Sequence, residues 1–92
     1  MKPQRMPKKQ PPIRLLTLST CFFCTRAKKW FDEAGFDYTC DDLDLLPAAE
    51  RQELLDEIRP FNPEERFPII IINNKAMIGF QEKRIKQELG IP

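Results

Sequence analysis

The tightest constraint on this chain lies between residues 13 and 35, where three local signals abut. Ile13 to Leu18 is an apolar, β-branched-tending run. It reads as a buried strand. Ser19 and Thr20 follow as a helix start signal, and then come two cysteines two residues apart, Cys21-Phe22-Phe23-Cys24. From Phe22 to Ala34 the apolar residues Phe23, Ala27, Trp30, Phe31 and Ala34 recur at spacings of three and four, while Lys28, Lys29, Asp32 and Glu33 fall on the other side. That pattern predicts an amphipathic helix, and Gly35 is suited to end it. A dithiol therefore opens a helix directly after a strand.

The rest of the chain extends this unit. Phe36, Tyr38 and Cys40 alternate with Asp37, Thr39 and Asp41, predicting a half-buried second strand. A second helix is expected from Pro47 to Ile58, with Pro47 in its first turn and Leu54, Leu55 and Ile58 facing inward. The segment from Arg59 to Pro63 breaks it. Phe67 to Ile72 is the strongest strand signal, and its run of isoleucines predicts burial on both faces, as in a central strand. Asn73-Asn74 reads as a tight hairpin turn, because Asn tolerates positive φ. Lys75 to Ile78 is the partner strand, and Gln81 to Leu89 a third helix. The order is β-α-β-α-β-β-α, an α/β domain. Its first two strands should run parallel. Its last two form a hairpin, with helices on both faces of a mixed four-stranded sheet.

Composition narrows what such a domain can do. The 92 residues suffice for one domain with a modest core. A hydrophobic share of 41% argues against disorder over most of the chain. Residues 1–12 read differently: Lys2, Arg5, Lys8 and Lys9 sit among Pro3, Pro7, Pro11 and Pro12 without an acid. This is a disordered, solvated tail, leaving 13–92 as the folded domain. Four charges without aromatic side chains make a poor nucleic-acid surface. No apolar stretch approaches a membrane span, and no apolar segment follows the basic residues as in a secretory signal. The expectation is a cytoplasmic, monomeric protein that binds neither nucleic acid nor membrane.

Three cysteines and no histidine limit the chemistry further. An odd count argues against a structural disulfide framework. A closed zinc site would need a carboxylate ligand, and without His there is no Cys–His catalysis. Redox chemistry, or a metal shared between chains, remains for Cys21 and Cys24. The reactive species in disulfide exchange is the thiolate. At the start of a helix, unpaired amides and the macrodipole favour an anion on Cys21. Cys24, one turn on, can donate its S–H to that sulfur. Cys21 is thus the expected nucleophile, and Cys24 the more buried, resolving thiol. Arg26, Lys28 and Lys29 add positive charge to the same helix. Cys40 is expected to be a small buried strand residue, with an auxiliary thiol open to oxidation as the sharper alternative.

From residue 13 to residue 89 the chain resembles the glutaredoxins, within the thioredoxin superfamily. The likeness is carried by Cys21-Phe22-Phe23-Cys24-Thr25-Arg26-Ala27-Lys28, by Arg66-Phe67-Pro68 opening a strand, and by Asn73-Asn74-Lys75 followed by Gly79-Phe80. It implies a thioredoxin fold and thiol–disulfide oxidoreductase activity on protein or small-molecule disulfides. It also implies a cis Pro68 against the dithiol and a Phe67 backbone offered to a substrate peptide. Substrate contacts are expected from Phe22, Phe23, Phe67, Pro68, Gly79, Phe80 and Gln81.

Three departures bear on the reductant. Leu18 stands where members that use glutathione usually carry Lys or Arg. Phe22-Phe23 replaces their common Pro-Tyr, and Gly79-Phe80-Gln81-Glu82 replaces two glycines and an Asp. Gly-Phe at this place resembles the glutaredoxin-like hydrogen donors of ribonucleotide reductase, which thioredoxin reductase recharges. No cofactor is expected to be bound, and the electron source is glutathione or thioredoxin reductase. A different function class is a binding protein of the same fold: one that shares an iron–sulfur cluster between two subunits, as the resemblance implies, or one whose dithiol is redox-regulatory without turnover.

Overall fold

A computed structural model of the chain describes residues 10–92. Residues 1–9, most of the expected tail, lie outside the described residues. The elements run β1 (Ile13–Thr17), α1 (Phe22–Ala34), β2 (Thr39–Asp42), a 3-10 turn (Leu43–Leu45), α2 (Ala48–Ile58), β3 (Ile69–Ile72), β4 (Lys75–Ile78) and α3 (Glu82–Leu89). The four strands form one sheet in the order β2-β1-β3-β4. β1 and β2 are parallel, whereas β1 with β3, and β3 with β4, are antiparallel. This is the mixed sheet with three helices that the thioredoxin fold requires.

Alternation along the strands sorts the core into two layers. Ile13 and Leu15 of β1, Ile70 and Ile72 of β3, and Met77 of β4 meet Ala27 and Phe31 of α1 and Ile85 of α3. Leu16 and Ile69 point to the opposite face and meet Leu43 and Ile58. The isoleucine run of β3 feeds both layers, which is why it shows no period of two. Removing a buried aromatic ring such as Phe31 typically costs about 3–5 kcal/mol.

Local chemistry explains the element ends. Gly35 takes φ 82, and its N–H and that of Phe36 close the end of α1 on the carbonyls of Asp32 and Phe31. Asn73 and Asn74 both have positive φ (53 and 68), and Ile72 pairs with Lys75 across them. A two-residue turn of this hand matches the twist of the strands it joins.

β1, α2 and α3 end or begin within one residue of the pattern in the sequence, and larger differences have local causes. β2 begins at Thr39 rather than Phe36, because the preceding backbone is bonded elsewhere. The Phe36 N–H goes to α1, and the Gln10 side chain bonds both the N–H and the carbonyl of Asp37. Phe36 and Tyr38 still pack on the α1 layer. β3 begins at Ile69, since Asn62 ties the backbone of Arg66 and Pro68 has no N–H to give a ladder. The short turn at Leu43–Leu45, which no periodicity announced, buries Leu43 under α2. Gln10, Pro11 and Pro12, read as the end of the tail, are joined to the domain through the Gln10–Asp37 bonds and a bond from Asn73 N–H to the Pro12 carbonyl.

Candidate active site

The loop after β1 delivers Cys21 to the N-cap position just before α1. The Cys21 N–H closes a turn on the Leu18 carbonyl at 3.1 Å, and Asp44 anchors the loop by accepting from the Ser19 N–H and hydroxyl. Those bonds hold the exposed Asp44 carboxyl below the usual carboxylate range. The helix cap is a correction to the sequence reading. Ser19 and Thr20 do not cap α1; Cys21 itself does, its sulfur accepting the Cys24 N–H at 3.3 Å. An amide donor and the positive end of the helix thus converge on one sulfur atom. The same sulfur lies 3.9 Å from the Phe67 carbonyl.

Cys24 is the opposite kind of thiol. It is wholly buried. Burial, together with a hydrogen bond to the Cys21 side chain and the nearness of that group's charge, pushes Cys24 up to about 12. The Leu18 backbone and the Lys28 charge pull the other way, less strongly. All three cysteines are free thiols.

Across from the dithiol lies the segment that enters β3. The Phe67–Pro68 peptide bond is cis and Pro68 is buried. The Gly79 N–H donates to the Pro68 carbonyl at 2.7 Å, joining the end of β4 to this segment. Gly79 takes φ 87, a left-handed conformation that favours glycine. Phe80 packs on the α1 layer, and the Arg26 guanidinium lies 5.9 Å from the centroids of both the Phe80 and the Phe22 rings. Arg26 thereby links α1 to the β4–α3 connection, over a cleft of about 300 Å³ also lined by Lys29, Trp30 and Glu82. Gln81 turns its amide onto the Ile78 carbonyl.

Phe23, placed in the apolar repeat by its spacing and among the substrate contacts by the resemblance, is 55% exposed rather than core, next to Phe22 at 66%. The buried stripe of α1 is Cys24, Ala27 and Phe31, and Phe23, in the first turn, stands at its edge, about 40° from Ala27 and about 100° from Cys24. The two rings meet edge to face at 5.3 Å and present apolar surface beside Cys21. Leu18, three residues before Cys21, packs on the α2 layer. A larger groove, of about 840 Å³, opens elsewhere, against Arg14, Thr39, Phe61 and Ile71, and none of the dithiol residues lines it.

Several supporting residues were not singled out from the sequence. Asn62 is buried and holds the backbone before Phe67; its place between two prolines made it look like a loop breaker only. Asp44 and Asp42 looked like ordinary surface acids. Lys28, one of the three positive charges the sequence places on this helix, is half-buried and bonds Asp42 at 3.1 Å.

The glutaredoxin family model matches residues 13–77. The chain belongs to the glutaredoxin family. Among solved structures it is similar to Methanosarcina acetivorans methanoredoxin, with 36% identity and a TM-score of 0.81 over 89% of this chain and 87% of that one. It is similar also to a glutaredoxin from Methanosarcina mazei Go1, at 39% identity and a TM-score of 0.79 over 88% and 80% of the two chains. A glutaredoxin from Archaeoglobus fulgidus, at 21% identity and a TM-score of 0.74 over 87% of each chain, shares the fold. No curated protein matches the sequence significantly. Among the described residues no helix is long and apolar enough to cross a membrane.

Proposed function

We propose that this glutaredoxin-family chain is a disulfide oxidoreductase that works through Cys21 and Cys24, with protein or peptide disulfides as its main substrates. One observation carries the reading: the sulfur of Cys21 is the helix cap and reaches the surface, while Cys24 is sealed beneath it as a thiol. Cys21 thiolate attacks a substrate disulfide, forming a mixed disulfide and releasing one substrate thiolate. Cys24 then attacks Cys21, releasing the second thiolate and leaving the Cys21–Cys24 disulfide. The one-turn spacing makes the second step effectively unimolecular.

Substrate class follows from the rim. Phe22 and Phe23 expose apolar rings beside the nucleophile, a surface suited to the side chains of a peptide rather than to a small charged thiol alone. Phe67 and cis Pro68 present backbone opposite Cys21 for an extended segment.

The electrons that recharge the dithiol come from glutathione or from thioredoxin reductase. Leu18 supplies no charge for a glutathione carboxylate, which favours the reductase. The test measures turnover on one disulfide substrate with glutathione plus glutathione reductase, and in parallel with NADPH plus thioredoxin reductase. Turnover with the second pair above the first is expected. Failure with both would overturn the enzyme reading itself.

A further inference from the structure

In the second step a fully buried thiol must give up its proton and attack. Two of the influences that keep Cys24 protonated belong to Cys21: the hydrogen bond to its side chain and the repulsion of its charge. Both vanish when Cys21 is tied up in a mixed disulfide. What remains is burial on one side and, on the other, the Leu18 backbone hydrogen bond and the Lys28 charge, of which only the second comes from a side chain.

Lys28 is built into the fold for this position. It follows Cys24 by one helical turn, so the two side chains leave α1 on neighbouring ground. Its ammonium does not run out to solvent. It bonds both Asp42 oxygens, at 3.1 and 3.4 Å, where β2 ends. Asp42 is itself held by the hydroxyl of Thr17, a fully buried residue at the end of β1, and Cys40 Sγ lies 3.2 Å from that hydroxyl. The groups that act on Lys28 are Asp42, which it touches, and by their charge Cys40 from β2 and Cys24 from its own helix. Tyr38, before β2, places its hydroxyl 3.5 Å from the Lys28 carbonyl and donates to Asp32 on the next turn of α1. Partial burial disfavours charge on Lys28, but the Asp42 hydrogen bond and the charges of Cys40, Asp42 and Cys24 leave it raised, so it stays a cation through the neutral range.

We propose that Lys28, clamped on Asp42, is a positioning residue for the second half-reaction: it supplies the positive charge against which Cys24 ionises to resolve the mixed disulfide on Cys21. The inference rests on the dithiol reading above. In this step the Cys24 proton passes to solvent, and the Cys24 thiolate attacks Cys21 Sγ. The Cys21–Cys24 bond forms as the bond from Cys21 to the substrate sulfur breaks. The substrate leaves as a thiolate and takes up a proton from solvent. The dithiol is oxidised by two electrons and the substrate disulfide is reduced by two. Lys28 neither gains nor loses a proton.

Rapid mixing of the reduced protein with 5,5′-dithiobis(2-nitrobenzoate) separates the halves, since attack by Cys21 releases one coloured thiolate and resolution by Cys24 releases the second. In Lys28→Met, which keeps the apolar stem, the second release should slow about three- to tenfold at pH 7, with its pH midpoint raised by about 0.5–1 unit. The first release should stay within about twofold of wild type. Lys28→Gln should behave like Lys28→Met, and Lys28→Arg should restore the second phase. A second phase with an unmoved midpoint in both neutral variants would overturn the proposal, as would equal slowing of both phases. Should the wild-type protein release no second thiolate, it is the dithiol reading that fails.

Discussion

Cys21 and Cys40 sit at the two ends of the β1–α1–β2 crossover, the first just before α1 and the second in β2, and both are half-buried thiols. Their surroundings share nothing else. Cys21 receives a helix N-terminal amide, faces the Phe67 carbonyl and is flanked by exposed aromatic rings. Cys40 packs on the α1 layer of the core and contacts the Thr17 hydroxyl at 3.2 Å, which in turn serves Asp42. On the proposed mechanism, an amide aimed at a sulfur with a path to solvent suits Cys21 to the nucleophile's part, whereas a hydroxyl that also answers to a carboxylate suits Cys40 to a structural one. The two thiols differ in the donors around them rather than in how far they are buried.

The largest break in that contrast comes from swapping sulfur for oxygen. Cys21→Ser should lower disulfide turnover by at least about a thousandfold, since a serine hydroxyl stays protonated at neutral pH and is a poor nucleophile. Cys40→Ser under the same assay should remain within about twofold of wild type. A comparable loss in both would erase the distinction.

Alkylation resolves the order within the dithiol. Iodoacetamide at neutral pH, followed by peptide mass analysis, should mark Cys21 first, with Cys24 protected until the pH approaches about 12 or the chain unfolds. Early labelling of Cys24 would reverse the assigned roles.

Thr17→Val should destabilise the fold by about 1–2 kcal/mol, read from urea unfolding, because it removes the hydroxyl that Asp42 and Cys40 share beneath α1.

A smaller effect is expected in the pH dependence of stability of the reduced protein. Burial first, and the Cys21 hydrogen bond next, raise Cys24 from 9.0 to about 12. Burial and Asp32 raise Tyr38 from 10.0 to about 12. A group raised in the folded state contributes stability that is complete below its unfolded value and is lost as pH rises through the folded one. Stability should therefore decline from about pH 9 to about pH 12. Cys24→Ala should flatten the lower part of that decline, and an unchanged slope would contradict the burial of an unionised thiol.

The smallest effect sharpens the Cys40 side. Intact-mass measurement after mild oxidation should give the same adducts for wild type and Cys40→Ser if Cys40 serves only the core. A missing adduct in the variant would make it an auxiliary reactive thiol.

Local pattern determined much of this molecule. The bounds of α1 follow from its apolar repeat and Gly35, the hairpin from Asn73-Asn74, and the central place of β3 from a run of isoleucines that both core layers share. Cys21 and Cys24 were legible as a pair because the strand, the spacing and the helix are all read within about twenty residues. These features depend on neighbours along the chain, which a sequence displays. Tertiary structure decided the rest. Whether Ser19 or Cys21 caps α1 depended on Asp44, distant in sequence, claiming Ser19. The exposure of Phe23 depended on which stripe of α1 the sheet covered, and the start of β2 on the Gln10 side chain. Lys28 has the look of a solvated charge in the helical repeat, and only the parallel pairing of β1 with β2 brings Thr17 and Asp42 together to hold it. A polar side chain takes its partner from whatever the fold sets beside it, and that choice has no period for a sequence to show.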